Sequence, residues 1–299
     1  MRITNNMATR LAVTQFDVSR SKLEDAQRKV TTGKAFSAAS EDPTAALSVM
    51  ANTGALRALD QYKRNIGAGN RRLALEETAV SQLSSILERA KELGMAMATD
   101  TMSATNRQAG KAEVNQLMLQ AAALGNTQDG NEYLFGGTKT DTPPLAIDTT
   151  GSVYTFTASG GTGARQVDVS AGQRASTAHD GTQVFGTAAA GVMKSLQDLA
   201  TALAVGTSAA VAGALPGIDT AMTTTLGNLG EIGARQNQMQ MADANITAFS
   251  QNLVALNSDL QDVDLETAMV ELVSRQTAYQ AAMSATSRIM NLNLTDYLR

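Results

Sequence analysis

The sequence predicts a mainly α-helical protein with a small β insert, in which long helices from the two ends of the chain pack as an antiparallel coiled-coil rod. Apolar residues recur at seven-residue steps in the first third and again in the last third, a pattern typical of helices that pack side by side. Between these thirds lies a stretch with strand-like alternation and frequent glycine. Aromatic residues make up only 4% of the chain and Trp is absent, which argues against one large globular core.

Charge and hydropathy exclude several kinds of partner. A net charge of -4 leaves no continuous basic surface for a phosphate backbone, so we expect no nucleic-acid partner. No segment has the run of about 18 apolar residues that a membrane helix needs, so we expect no membrane partner. The absence of cysteine excludes disulfides and thiolate metal sites.

Local signals delimit the first helices. Helical spacing runs from the amino end to Gly33, and glycine favours a helix end. Asp42 is predicted to cap a second helix that has Pro43 at its first position. That helix would extend to Met97, and a third helix would end near Gly125.

Two apolar stripes predict the seam of the rod, one in the second helix and one in the final third of the chain. Each side chain buried there would contribute about 1.5 to 3 kcal/mol, so stability would accumulate along the rod. The predicted rod seam consists of Leu59, Ile66, Leu73, Val80, Leu87, Ile232, Met239, Ile246, Leu253, Leu256, Leu260 and Val263.

A second set of apolar residues predicts an interface used in assembly. The stripe shifts phase near residues 262–264, which marks a joint between two helical segments. The segments beyond the joint and at the amino end have too few seam residues to be stable alone, and their opposite local charges favour pairing. Flexible methionines suit an adaptable surface. The predicted assembly interface consists of Phe16, Leu23, Val30, Met269, Leu272, Tyr279, Met283, Met290, Leu292 and Leu294.

The glycine-rich middle of the chain predicts a β-rich insert. Residues 153–157 and 166–169 have the composition of strands. An insert of roughly 50 residues can bury only a modest core of its own, so it should lean on the helices or on neighbours. We expect three parts: a terminal helical assembly layer (1–42 with 265–299), a helical-bundle rod (43–130 with 188–264) and an outward-facing insert (131–187).

No set of residues predicts catalysis or a cofactor. The chain has a single histidine, His179, which lacks a partner for a triad or metal site and is expected to be an exposed turn residue. The acidic residues Asp262, Asp264 and Glu266 fall on different sides of a helix and lack the loop of a calcium site. We therefore expect no catalytic residue, no metal and no cofactor.

Motifs at both ends of the chain resemble those of a known family. They are residues 1–4 (MRIT), 32–34 (TGK), 41–43 (EDP), 129–140 (DGNEYLFGGTKT), 276–281 (QTAYQA) and 289–298 (IMNLNLTDYL). The set resembles the flagellar hook-filament junction proteins, the hook-associated protein 3 group of the bacterial flagellin superfamily, and the last two motifs also resemble the ending of flagellins. The predicted insert has no matching motif.

This resemblance implies a flagellin-like structural protein of the flagellar axis. It would form a ring of subunits that joins the hook, through the first hook-associated protein, to the flagellin filament. It would leave the cell through the flagellar type III apparatus without a cleaved signal peptide, after binding a cytosolic export chaperone. A filament flagellin remains the nearest alternative, and a secreted enzyme or adhesin is an alternative from another class.

Overall fold

The computed structural model describes the backbone of residues 5–297 and the side chains of residue 7 and residues 10–288. Helices dominate the fold, as predicted. They are α1 (Asn5–Thr32), α2 (Pro43–Met97), α3 (Ala104–Gly125), α4 (Gly181–Phe185), α5 (Val192–Val205), α6 (Ser208–Gln261) and α7 (Leu265–Tyr297). The strands are β1 (Gln128–Asp129), β2 (Glu132–Tyr133), β3 (Leu145–Asp148), β4 (Thr155–Ala158), β5 (Gln166–Ser170) and β6 (Gln173–Ser176).

The chain divides into two compact units. We call Met1–Ala58 with Phe249–Arg299 the terminal unit, and Leu59–Ala248 the central unit. Helices α2 and α6 contribute residues to both units. These bounds follow contacts within one chain, so the predicted division into assembly layer, rod and insert remains a prediction.

The predicted helix boundaries at the amino end are confirmed. Helix α1 ends at Thr32, and Gly33 follows with φ of 68°, a conformation that glycine adopts without steric cost. The side chain of Asp42 accepts hydrogen bonds from the backbone N–H groups of Thr44 and Ala45, at 3.1 and 2.9 Å. This cap satisfies free donors at the start of α2, which continues unbroken to Met97.

In the terminal unit, α1 and α7 run antiparallel and a short backbone crossing joins their ends. Val263 N–H donates to the carbonyl of Gly33 at 2.9 Å, and Ala35 N–H donates to that of Gln261 at 2.7 Å. Lys34 and Asp262 form an isolated antiparallel bridge between these bonds. The predicted joint is confirmed, because α6 ends at Gln261 and α7 begins at Leu265.

In the central unit, α2 and α6 also run antiparallel. Lys63 Nζ donates to Thr247 Oγ1 at 3.3 Å, and further along Gln236 Nε2 donates to Glu77 Oε2 at 2.8 Å. Helices α3 and α5 pack against each other in the same unit. The largest side chains removed from solvent include Leu83, Leu87, Met118, Met193, Leu196, Leu199 and Leu203.

The strands form three separate antiparallel pairs, β1–β2, β3–β4 and β5–β6, each only two to five residues long. Such short hairpins are not independently stable, and their apolar side chains join the core of the helices in the central unit. Phe135, after β2, packs edge to face on Phe185 of α4, with ring centroids 5.1 Å apart. The insert therefore shares a core with the helices.

Helix α6 contains a proline, Pro216, in its interior. The helix begins at Ser208 and runs through this residue. A proline inside a helix removes one backbone hydrogen bond. Val211 and Ile218, on either side, are both fully buried in the central unit, and their packing holds the segment as one helix.

Candidate assembly interface

The contact between α1 and α7 brings together residues of the predicted assembly interface. Phe16 stacks on Tyr279 with ring centroids 5.1 Å apart and an angle of 32° between the planes. Ala26 of α1 and Ala268 of α7 are buried, and side chains this small let two helices approach closely. The aromatic pair contributes on the order of 1 kcal/mol beyond its buried area.

The remaining predicted interface residues fall into three groups. Leu23, Val30 and Leu272 are half-buried, whereas Met269 and Met283 are more than half exposed. Met290, Leu292 and Leu294 lie outside the residues whose side chains are described. A contact within the chain thus occupies part of the predicted interface and leaves its methionines open.

The terminal unit presents many further apolar side chains to solvent. Among the described side chains, twenty large hydrophobic residues are exposed, and fifteen of them lie in this unit. They include Leu11 on α1, Leu47 and Met50 on α2, and Val270 and Val273 on α7. Exposed apolar groups at this density mark an interaction surface.

Most of the predicted rod seam is buried within the chain. Ile66, Leu73, Val80, Leu87, Ile232, Met239 and Ile246 are buried in the central unit. Leu253 is buried in the terminal unit, and Leu59 and Val263 are half-buried. Whether these residues act as a seam in an assembled rod remains a prediction.

Leu256 and Leu260 differ from the expected pattern. They are 51% and 37% exposed, so the expectation that a seam within one chain buries them is wrong. Leu256 lies about 60° around the helix from Leu253, within the width of an ordinary helix interface, so its exposure reflects the small number of packing partners in this unit. Leu260 sits in the last turn of α6, where neighbouring turns no longer continue the packed strip.

Buried charges in the central unit form a feature that the sequence reasoning missed. Arg72 of α2 donates to the backbone carbonyls of Tyr133 and Leu134 at 3.2 and 2.7 Å. Burial and the charge of Arg165 lower its pKa, although nearby carboxylates oppose the shift. Arg72 therefore anchors the segment after β2, which carries one of the family motifs, to the long helix.

A second buried charge corrects the expectation for His179. This residue is 2% exposed and contacts Glu76, which is fully buried, so the expectation of an exposed turn residue is wrong. One signal could have revealed the site. Glu76 occupies the seven-residue series of Gly69, Leu83 and Ala90, where a charged residue interrupts apolar seam positions and requires a buried partner.

Arg107 of α3 connects three backbone segments of the central unit through its guanidinium group. Its guanidinium donates to the carbonyls of Met97, Thr99 and Gly206 at 2.9, 2.8 and 3.0 Å. These carbonyls belong to the end of α2, the turn after it and the end of α5. One side chain thus satisfies acceptors that two helix ends leave open.

Metal sites and membrane-spanning helices were both considered from the sequence. Within the described residues, no group of three or more His, Asp or Glu side chains is arranged to hold a metal ion. In the same part of the chain, no helix combines the length and apolar character needed to cross a bilayer.

Comparison with known proteins gives two family matches. Residues 3–140 match the bacterial flagellin N-terminal helical region, and residues 215–298 match the bacterial flagellin C-terminal helical region. The unmatched stretch includes most of the hairpins together with α4, α5 and the start of α6. The two matches together cover most of the chain, including all of α2 and most of α6.

Individual proteins agree with these matches. The flagellar hook-associated protein 3 of Escherichia coli K12 is 26% identical over 291 residues, covering 89% of this chain and 90% of its own. The flagellin of Bacillus subtilis strain 168 is 25% identical over 310 residues, covering all of both chains. A solved structure of a putative flagellar hook-associated protein from Vibrio parahaemolyticus superposes with a TM-score of 0.65 at 23% identity, covering 74% of this chain and all of that one. This chain belongs to the bacterial flagellin superfamily, and the relatives it resembles include both hook-associated protein 3 and filament flagellin.

Proposed function

We propose that this chain is a structural axial component of the bacterial flagellum that joins the hook, through the first hook-associated protein, to the flagellin filament. The observation that carries the proposal is the terminal unit. Its helices match the flagellin helical regions, and it contains fifteen of the twenty exposed large apolar side chains among the described residues.

Assembly would occur when copies cover each other's exposed apolar residues. Met269 and Met283 on α7 and Leu256 on α6 are large enough to contribute about 2 kcal/mol each on full burial. Because the same surface recurs on every copy, a ring of subunits could bury it repeatedly. The pairing of α1 with α7, fixed by Phe16 and Tyr279, would present these residues in one orientation.

The remaining partners and the route of export follow from the same assignment. We assign the first hook-associated protein and flagellin as neighbours in the axis, and a cytosolic export chaperone as the partner before export. Few side chains of the terminal unit are buried within the chain, so a chaperone could cover its helices at little cost in lost contacts. Export through the flagellar type III apparatus would need no cleaved signal peptide. We propose no catalytic role and no cofactor.

Deletion of the gene tests the function. The deletion strain should lose its filaments and release flagellin into the medium, because the filament would have no base on which to assemble. A plasmid-borne copy should restore filaments and swimming in soft agar. Normal filaments in the deletion strain would contradict the proposal.

A matched pair of substitutions tests the surface. Met269→Asp should abolish complementation, because an aspartate at the interface would be buried without a partner. Met95→Asp is the control, since Met95 is 49% exposed and Met269 58%, but Met95 lies in the central unit. Secreted amounts of both variants should be measured, so that failure of assembly is separated from failure of export. Equal complementation by the two variants would contradict the assignment of the surface.

A filament flagellin is the second candidate, because the Bacillus flagellin aligns over the full length of both chains. The deletion also separates these functions. If this chain formed the filament itself, the deletion strain would shed no flagellin, and sheared filaments from the wild type would consist mainly of this chain. If this chain is a junction protein, it should be only a trace component of sheared filaments and should be found in hook preparations.

A further inference from the structure

Residues 177–181, which are the loop after β6 and the first residue of α4, are buried along their whole length. Backbone bonds tie them to other loops of the central unit. Thr177 N–H donates to the carbonyl of Arg165 and Gly181 N–H donates to that of Phe135, both at 2.8 Å. The only histidine of the chain, His179, lies at their centre. We call residues 177–181 the docking loop.

Charged groups from two long helices surround His179. From α2, Glu76 Oε1 lies 2.5 Å from Nδ1 of the ring and also accepts the backbone N–H of His179 at 3.0 Å. From α6, Glu231 Oε2 lies 3.2 Å from Nε2, an ion-pair distance without a well-aligned hydrogen bond. Arg235 of α6 pairs with Glu231 at 2.5 Å and donates to the carbonyl of Ala178 at 3.1 Å.

The other charged groups nearby have partners of their own. Arg72 of α2 bonds to the backbone after β2. Asp180, in the docking loop, accepts from the hydroxyl of Thr182 and the N–H of Gly163. The guanidinium of Arg165 pairs with Glu132. Among the described residues, His179 and Arg235 are therefore the cations in direct contact with Glu76 and Glu231, while Arg72 acts on Glu76 through its charge alone.

The geometry fits the charged form of the ring better than either neutral form. A neutral imidazole carries a proton on one nitrogen and a lone pair on the other. Here each nitrogen faces a carboxylate oxygen, so either neutral tautomer would direct a lone pair at a negative charge. With the ring doubly protonated, two cations balance two carboxylates. Without that proton, the fully buried Glu76 loses the cation that it contacts, and a buried polar group without its partner is costly.

We propose that His179 is a protonation-dependent latch, which holds the docking loop between α2 and α6 while the ring is charged and loosens the loop when the ring loses its proton. The surrounding backbone bonds would remain, so the change would be local opening of residues 163–186 rather than unfolding of the central unit. The adjoining hairpin and α4 would gain mobility together with the loop.

The direction of the pH dependence follows from the pKa of the ring. Burial lowers the pKa of His179, but the hydrogen bond and charge of Glu76, together with Glu231, outweigh burial and raise it above the usual 6.5. A raised pKa in the folded state means that the stabilisation is fully present below about pH 6.5 and is lost as the pH rises through the folded-state pKa. The latch therefore opens on the alkaline side.

The experiment combines two readouts on the full-length chain. Because the chain has one histidine, a single ring resonance in a proton-carbon NMR spectrum reports its titration without ambiguity. Hydrogen exchange, corrected for intrinsic rates, then compares residues 176–184 with α5 at about pH 6 and about pH 9. Protection of residues 176–184 should fall at the higher pH by about tenfold for each unit by which the folded-state pKa exceeds that of an unfolded histidine, while α5 stays protected.

Substitutions separate the latch from general destabilisation. Glu76→Gln should lower the pKa of His179 and reduce the pH dependence of protection. His179→Gln should remove that dependence altogether. Glu77→Gln is the control, because Glu77 is adjacent on α2 but bonds to Gln236, and it should behave as the wild type. If Glu76→Gln does not fold, the titration of the wild-type histidine and the hydrogen exchange of His179→Gln still test the proposal. Overturning results are a wild-type histidine that titrates at or below about 6.5, or equal relative protection at the two pH values.

Discussion

The two compact units of this chain are built from the same long helices but bury very different amounts of apolar surface. Of the 41 buried hydrophobic residues among those described, only five lie in the terminal unit. Two of these five are large, Phe36 and Leu253. By contrast, most exposed large hydrophobic residues lie there. The central unit has the core of a self-sufficient domain, whereas the terminal unit has the composition of an interface.

One helix shows the difference within a single stripe. Along α6, Ile232, Met239 and Ile246 are buried in the central unit, and the same seven-residue series continues into the terminal unit. There Leu253 is still buried, but Leu260, the next member, is exposed. The pattern in the sequence does not change between them. What changes is the number of elements that pack against α6. The central unit also contains α3, α5 and the hairpins, whereas the helices of the terminal unit are α1, α7 and the ends of α2 and α6. A stripe thus predicts that a surface is to be covered, but not which molecule covers it.

The largest expected effect comes from placing a charge on each half of the stripe. Leu73→Asp should destabilise the chain by about 4 kcal/mol or more, since it removes a fully buried side chain and buries an unpaired charge. Leu256→Asp should change the free energy of unfolding by only about 0.5 kcal/mol, because the site is half exposed. Urea unfolding followed by circular dichroism measures both.

Leu256→Asp, which should have little effect on stability, should have a large effect on assembly. Leu256→Asp should be secreted and folded yet fail to restore filaments in the deletion strain. If it unfolds the isolated chain as strongly as Leu73→Asp does, the two units do not differ in the way described above.

A smaller effect tests whether the hydrogen bonds of Arg107 stabilise the central unit. Arg107→Ala should cost about 3 kcal/mol, because three carbonyls at helix ends lose a charged donor. Arg64→Ala is the matched control. Arg64 is exposed and donates only to Gln61, one turn earlier on the same helix, so its loss should stay within about 0.5 kcal/mol. Thermal melting of the two variants gives the comparison, and equal melting temperatures would contradict the role of Arg107.

The smallest effect concerns acid stability. Burial alone would raise the pKa of Asp180, but hydrogen bonds from the Thr182 hydroxyl and from the N–H groups of Gly163 and Gln183 outweigh burial and lower it. Its stabilisation is therefore present above the usual 3.8 and is lost as the pH falls through the folded-state pKa. Asp180→Asn should keep the cap of α4, cost about 1 kcal/mol near neutral pH and flatten the acid dependence.

Unfolding in urea between about pH 5 and about pH 2 shows the effect. Thr182→Val, which removes the hydroxyl donor to Asp180, should move the acid transition of the central unit to higher pH. If neither substitution alters the acid transition, Asp180 does not contribute to the acid stability of the central unit.

Local features of the sequence predicted much of the fold. Gly33, the pair Asp42 and Pro43, and the phase shift near residue 262 each mark a boundary that depends only on neighbouring residues, and the structure confirms them. The expected exposure of His179 and the expected burial of Leu256 within the chain were wrong, because each depends on packing partners far away in the sequence. The buried charge of Glu76 was detectable as an interruption of a seam series, but its partner, more than 100 residues away, was not.

The backbone crossing between Gly33 and Val263 has a mechanical consequence. Its bonds join main-chain atoms, so the crossing depends little on which side chains the two segments carry. The exceptions are a substitution to proline, which removes a donor, and a substitution of Gly33, whose positive φ favours glycine. The crossing also fastens the end of α1 to the start of α7 at the same level. A pull along either helix would load these hydrogen bonds in shear, so both ends of the polypeptide would carry torque and tension as one element.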